Sequence, residues 1–110
     1  MVKKNTCVFI SGQGSNLKNL IARSRDNSFP IKIKLVISDN KKALGLNYAK
    51  KFQIPYILIN TKLKNYENKV FYYLKKYKIS FICLAGYMKI ISNTIIKNYK
   101  GKIINVYTYF

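Results

Sequence analysis

The sequence predicts an α/β domain built on a doubly wound, mostly parallel sheet. Five strand-like runs alternate with four segments long enough for helices, and strands joined through helices form right-handed βαβ units. The run Phe81-Ile82-Cys83-Leu84 is apolar without interruption, as expected of a parallel strand buried on both faces. The 110 residues, 49% of them apolar, suffice for one domain with a modest core.

The elements follow in order. Thr6–Ile10 reads as the first strand, too short for a signal-peptide core despite the basic Met1-Val2-Lys3-Lys4-Asn5 before it. Ser11-Gly12-Gln13-Gly14 turns that strand into a helix over Ser15–Arg25. Ile31–Ser38 is the second strand and runs into a Ser38-Asp39-Asn40 turn. A helix over Lys41–Phe52, a strand over Tyr56–Ile59 and a helix over Lys64–Tyr77 follow. Ser80–Ala85 forms the fourth strand, Gly86 turns it into a helix over Met88–Tyr99, and Lys102–Val106 is the fifth strand. No repeat or linker divides the chain. The expectation is one domain over residues 1–110, incomplete, its sheet truncated after the fifth strand with that edge uncovered. No apolar run approaches the ~20 residues that cross a bilayer, so a cytoplasmic protein without membrane contact is expected.

Ligands of such sheets bind beyond the carboxyl ends of the strands. That edge gathers Ser11–Asn16, the Ser38-Asp39-Asn40 turn, Gly86–Ile91 and Asn105 onward. The first of these is the sharpest signal. A glycine turn into a helix aims backbone N–H groups at one spot, and the helix dipole adds positive potential there, so a phosphate can be held without a dedicated cation. Ser15 and Asn16 can cap the first turn and offer polar groups to the same anion. The pattern is not the dinucleotide fingerprint, because Leu17 stands where a third glycine belongs, and no Gly-Lys-Ser/Thr follows as in a P-loop. A plain glycine turn is the bland alternative. The Leu84-Ala85-Gly86-Tyr87-Met88-Lys89-Ile90-Ile91 segment can present main-chain groups and apolar side chains to a flat heterocycle, or be an ordinary βα connection.

The inventory excludes much chemistry. The chain has no histidine and only Asp26, Asp39 and Glu67 as acids. No transition-metal site, Ser-His-Asp arrangement or carboxylate pair can be assembled, and no side chain titrates normally near neutrality. Cys7 and Cys83 lie in apolar runs and read as buried thiols. The net charge of +18 would ordinarily suggest nucleic acid. The lysines are spread along the chain, however, and Lys, Asn, Ile and Tyr are inflated together, as an A+T-rich coding sequence would make them. Nucleic acid is therefore not the expected partner, while steering of small anionic ligands by the field is.

Taken together, Phe9-Ile10-Ser11-Gly12-Gln13-Gly14-Ser15-Asn16-Leu17, Val36-Ile37-Ser38-Asp39, Ala43-Leu44-Gly45-Leu46, Leu84 through Ile91 and Gly101-Lys102-Ile103-Ile104-Asn105 resemble the phosphoribosylglycinamide formyltransferases. The order and spacing fit nearly the whole chain, with a few residues missing near Thr61–Lys64, and correspond to the N-terminal half of a family member. The resemblance implies a Rossmann-like formyltransferase fold. It also implies transfer of a formyl group from 10-formyltetrahydrofolate, a co-substrate, to the amine of 5-phosphoribosylglycinamide in purine biosynthesis, without a metal.

By the same resemblance Gly14, Ser15 and Asn16 hold the substrate phosphate. Met88, Lys89, Ile90 and Ile91 line the folate pocket, and Asn105 both contacts folate and polarises the formyl oxygen. The family then continues Asn-x-His-Pro-Ser-Leu-Leu-Pro, whereas this chain reads Asn105-Val106-Tyr107-Thr108-Tyr109-Phe110. Tyr107 takes the catalytic histidine's place, so a truncated form with impaired catalysis is expected. Three further readings stay open at this level: a formyltransferase acting on methionyl-tRNA, an inactive phosphate-ligand binder, and self-association through the uncovered sheet edge.

Overall fold

The computed structural model describes residues 2–12, 15–85 and 91–106, with residues 15, 105 and 106 described through their backbone alone. Its elements are β1 (Lys4–Ile10), α1 (Ser15–Ser24), β2 (Ile31–Ser38), α2 (Gly45–Lys51), β3 (Tyr56–Leu58), α3 (Tyr66–Lys76), β4 (Phe81–Ala85), α4 (Asn93–Asn98) and β5 (Lys102–Val106). The five strands form one sheet in the order β3-β2-β1-β4-β5. Every neighbouring pair is parallel, so the sheet is entirely rather than mostly parallel. The winding reverses between β1 and β4, and such a reversal opens a crevice at the carboxyl edge. Among the described residues, no helix is long and apolar enough to cross a membrane.

Helices cover both faces. Leu17, Leu20 and Ile21 of α1 fall at helical spacing and are buried, and with Leu46 and Ala49 of α2 they pack on Val8, Ile10, Val36 and Cys83. Val70 and Leu74 of α3, with Ile95 of α4, pack on Cys7, Phe9, Leu35, Ile37, Ile82 and Leu84. Alternate residues of β1 thus serve opposite cores. Each fully buried Leu, Ile, Val or Phe contributes roughly 1.5–3 kcal/mol relative to exposure. Cys7 and Cys83 are both free and buried. They belong to the cores on opposite faces of the sheet, so their Cβ vectors diverge and no disulfide can join them.

The register of β2 carries an irregularity that its residue pattern conceals. Thr6 pairs with Ile33, but Cys7 pairs with Leu35, so Lys34 is skipped. The extra residue inverts which face alternate side chains meet. Ile31 and Ile33 face α1 and α2, whereas Leu35 and Ile37 face α3 and α4. Read as simple alternation, these four residues would have shared one face.

Three helices begin later than the sequence suggests. The expected Lys41–Phe52 helix loses its start to a turn in which the Lys42 N–H donates to Asn40 Oδ1 at 2.9 Å and Ala43 N–H to the Asn40 carbonyl at 3.0 Å. The expected Lys64–Tyr77 helix begins at Tyr66, after Asn65 adopts a left-handed φ of 62°. Of the expected Met88–Tyr99 helix, residues 88–90 lie outside the described residues, and α4 starts at Asn93, because Ser92 is extended and its hydroxyl accepts the Ile95 N–H at 3.3 Å as an N-cap.

Helices α2 and α3 close alike. The Ile54 N–H donates to the Ala49 carbonyl at 2.9 Å and Gln53 N–H to Lys50 at 3.2 Å; Ile79 N–H donates to Leu74 at 2.8 Å and Lys78 N–H to Lys75 at 3.0 Å. Both are Schellman closures, with Gln53 (φ 58°) and Lys78 (φ 54°) at the left-handed position where glycine is usual.

Candidate functional site

The crevice is built from the carboxyl ends of β1, β2, β4 and β5. The β1 end is rigid: Cys7, Val8 and Phe9 are fully buried and Ile10 nearly so. The chain then surfaces at Ser11 and Gly12, and a Cβ added at Gly12 would meet nothing within 4 Å. No crowding demands that glycine, and the space beside its backbone is open to an approaching group.

Two contacts from the β2–α2 connection hold the loop after β1. The Asn40 side-chain amide donates to the Ser11 carbonyl at 3.2 Å, and Gly45 N–H donates to the Gly12 carbonyl at 3.3 Å. Asn40 is itself set by Ser38. The Ser38 hydroxyl donates to the Asn40 carbonyl at 3.0 Å and accepts the Asn40 N–H at 3.1 Å, the local closure that makes serine and asparagine turn formers. Ser38 is fully buried, which makes this turn an extension of the sheet. Asp39 is half-buried beside it, and its Oδ1 accepts no hydrogen bond among the described residues.

Helix α1 begins at Ser15 with no acidic residue in its first turn. The positive end of its dipole is therefore not neutralised from within the helix. Asn16 is only 5% exposed, unusual for an amide, and lies in that first turn beside buried Leu17. Across the crevice, Phe9 pairs with Leu84, and Leu84 with Asn105. The Asn105 backbone thus lies two strand spacings from β1, about 10 Å.

Of the residues expected from sequence, Ser15 and Asn16 open α1 and Asn105 lies on β5 at the same edge. Ile91 is half-buried against the core beneath α3 and α4. Gly14, Met88, Lys89, Ile90 and Tyr107 lie outside the described residues. No group of three or more His, Cys, Asp or Glu able to hold a metal occurs among the described residues. Burial pushes the Cys7 thiol well above its ordinary range, with the nearby Cys83 adding to the effect, and pushes the Cys83 thiol up to about 11. Both are inert core groups rather than nucleophiles.

The Asn40 and Gly45 tethers leave no mark in the local residue pattern. The Ser38-Asp39-Asn40 turn signal was visible, but not what it would reach. A cavity of about 630 Å³ beyond β2 and β3, lined by Asp39, Asn40, Leu58, Tyr66 and several lysines, was also not foreseen.

Comparison with known proteins gives one consistent answer. The profile described as formyl transferase matches residues 4–108. The chain is 38% identical over 111 residues to the trifunctional purine biosynthetic protein adenosine-3 of Drosophila pseudoobscura pseudoobscura, covering 96% of this chain and 8% of that protein. It is 37% identical over 110 residues to phosphoribosylglycinamide formyltransferase of Haemophilus influenzae, covering 94% of this chain and 51% of that protein. The crystal structure of phosphoribosylglycinamide formyltransferase from Brucella melitensis superposes with a TM-score of 0.86 at 33% identity, covering 96% of this chain and 57% of that one. The chain thus spans about half the length of the single-activity relatives it matches. With the profile, the all-parallel sheet and the edge geometry in agreement, the chain belongs to the formyl transferase family.

Proposed function

We propose that this chain supplies the substrate-phosphate site and part of the transfer site of a phosphoribosylglycinamide formyltransferase, which moves a formyl group from 10-formyltetrahydrofolate to the amine of 5-phosphoribosylglycinamide. The observation that carries the reading is the loop after β1, tethered at Ser11 and Gly12 and entering a helix whose first turn holds no acid. Amides at such a helix end bind a phosphate through aligned N–H groups and the dipole. Gly14, Ser15 and Asn16 hold the phosphate in this reading, and the net charge of +18 raises the encounter rate with a dianion.

The folate co-substrate brings the activated formyl group. The carboxyl end of β4, apolar through Leu84 and Ala85, and half-buried Ile91 suit the face of a flat heterocycle, and Met88, Lys89 and Ile90 are assigned to folate binding in this reading. The Asn105 amide donates toward the formyl oxygen, where negative charge develops as the amine attacks. The amine must also lose a proton and the departing folate nitrogen gain one. Tyr107 occupies the position where the family carries histidine, and a phenol of ordinary pKa about 10 serves poorly at neutral pH. Absence of general acid–base help slows such a step by ~10²–10⁴-fold. Binding without efficient turnover is the expected behaviour of these residues.

The test pairs binding with transfer. Millimolar 5-phosphoribosylglycinamide should raise the melting temperature of the chain, and Ser15→Ala and Asn16→Ala should reduce that shift. Formyl transfer should be slow for the chain alone and rise when the C-terminal half of a full-length relative is added. A melting temperature indifferent to the substrate would overturn the phosphate assignment. Full turnover by the chain alone would overturn the proposed catalytic weakness.

A further inference from the structure

We propose that the amino edge of the sheet, opposite the crevice, forms with the last turns of α3 a binding surface for single-stranded nucleic acid. The lysines are spread along the chain, yet strand pairing gathers exposed ones at this edge. Lys4 opens β1, Lys32 pairs with its neighbour Asn5, and Lys102 opens β5 beside Phe81, the first residue of β4. The Asn5 side-chain amide donates to the Lys78 carbonyl at 3.2 Å, which brings the end of α3 to the same edge, and exposed Lys100 stands just before β5. Lys4 and Ile10 are the two ends of β1, so this edge lies about 20 Å from the loop after β1.

These charges form a row rather than a focus. β2, β1, β4 and β5 are neighbours in that order, so Lys32 and Lys102 stand three strand spacings apart, about 14 Å. A single phosphate cannot meet charges so far apart, whereas the successive phosphates of a nucleotide chain can. Opposing charge is scarce. Asp39 and Glu67 lie toward the carboxyl edge, after β2 and in the first turn of α3. Asp26, between α1 and β2, already accepts the Ser28 N–H at 2.9 Å and the Ser28 hydroxyl at 2.8 Å through its Oδ1.

Aromatic rings beside the lysines favour unpaired bases over other polyanions. Tyr72 of α3 is 61% exposed, and an edge contact with Tyr73, ring centroids 5.0 Å apart, limits its freedom. The Lys76 ammonium lies 5.7 Å from the centre of the Tyr73 ring and 5.8 Å from that of Tyr77. Rings and cations therefore share the end of α3 that Lys78 joins to the sheet edge. Unpaired bases stack on such rings while ammonium groups follow the phosphates, a combination indifferent to base sequence. A duplex hides its base faces and offers Tyr72 nothing to stack on.

Titration of the whole chain against labelled oligo(U) and oligo(dT) of about 15 nucleotides, a duplex of equal length and phosphatidylserine vesicles tests the proposal. At least one of the single strands should bind at low salt, and the duplex about tenfold more weakly. Lys4→Gln/Lys32→Gln/Lys102→Gln should flatten the slope of log K against log salt by about 2, three contacts at ~0.7 each. Lys41→Gln/Lys42→Gln/Lys62→Gln removes equal charge from the opposite edge and should leave that slope nearly unchanged. Tyr72→Ala should weaken binding by about tenfold, the loss of one stacked base, and Tyr72→Phe should retain it. These side chains are exposed, so melting temperatures should hold. No binding to either single strand, equal losses from the two lysine triples, no loss in Tyr72→Ala, or preference for duplex or vesicles would each overturn the proposal. Excess 5-phosphoribosylglycinamide should not compete, so this surface and the formyl-transfer reading stand or fall separately.

Discussion

Asn40, at the turn after β2, reaches across the edge of the sheet and donates its side-chain N–H to the carbonyl of Ser11 at 3.2 Å. This bond fastens the loop that enters α1 to a turn anchored in the core through buried Ser38. Asn40→Ala removes the donor and also the acceptor used by the Lys42 N–H. A solvent-accessible hydrogen bond contributes roughly 0.5–1.5 kcal/mol. Affinity for 5-phosphoribosylglycinamide should fall by up to about tenfold, and the melting temperature should drop by several degrees because native hydrogen bonds are lost as well. Equal affinity for variant and parent in a thermal-shift titration would disprove the positioning role.

Gly101 precedes β5 at a point without room for a side chain. A Cβ there would lie 2.5 Å from the Ser80 carbonyl oxygen and 2.5 Å from the Tyr99 hydroxyl. The Ser80 carbonyl is backbone and cannot swing aside. Gly101→Ala should destabilise by roughly 1–3 kcal/mol, as overpacking typically does. Urea unfolding would register this as a lower midpoint at unchanged slope. A midpoint equal to that of the parent would show that β5 shifts freely.

Gln53 and Lys78 carry positive φ angles at the ends of α2 and α3. A left-handed conformation costs a non-glycine residue roughly 1–2 kcal/mol, partly offset on replacement by the greater unfolded-chain entropy of glycine. Gln53→Gly and Lys78→Gly should each stabilise by about 0.5–1 kcal/mol. Because the two sites close different helices on opposite faces of the sheet, the two gains should add. Differential scanning calorimetry checks both claims, and a lower melting temperature for either variant would contradict them.

Alkaline pH should unfold the chain through groups held neutral inside it. Burial raises the Cys83 thiol from 9.0 to about 11. Burial, reinforced by the neighbouring Cys7, raises the Tyr99 phenol from 10.0 to about 12. The folded chain favours the protonated form of each, so their stabilisation is intact below pH 9 and is lost as pH climbs through 11 and 12. Denaturant midpoints measured from pH 7 upward should stay level, then fall beyond pH 9. Cys83→Ala should make the fall between pH 9 and 11 shallower. A level profile to pH 11 would refute the assignment.

Local chemistry made the element types legible. Alternating apolar runs and helix-length segments announced parallel βαβ units, and the glycine turn before Ser15 announced the loop at the mouth of the crevice. Helix boundaries were less legible, since side chains of Asn40 and Ser92 capture backbone groups that a helical reading assigns to the next turn. The ends of α2 and α3 lack the glycine that normally marks them, because the Schellman bonds and burial of Ile79 with Leu74 impose a left-handed residue on whatever side chain is present.

The residue pattern was sufficient for the family and the fold class, because these depend on composition and on short stretches of neighbours. Strand order, the skipped Lys34 that divides Ile33 and Leu35 between two cores, the reach from Asn40 to Ser11 and the gathering of Lys41 with Lys69 around one cavity came only with the folded chain. Each joins residues distant in the chain, and their meeting is governed by how strands pair and helices close over them.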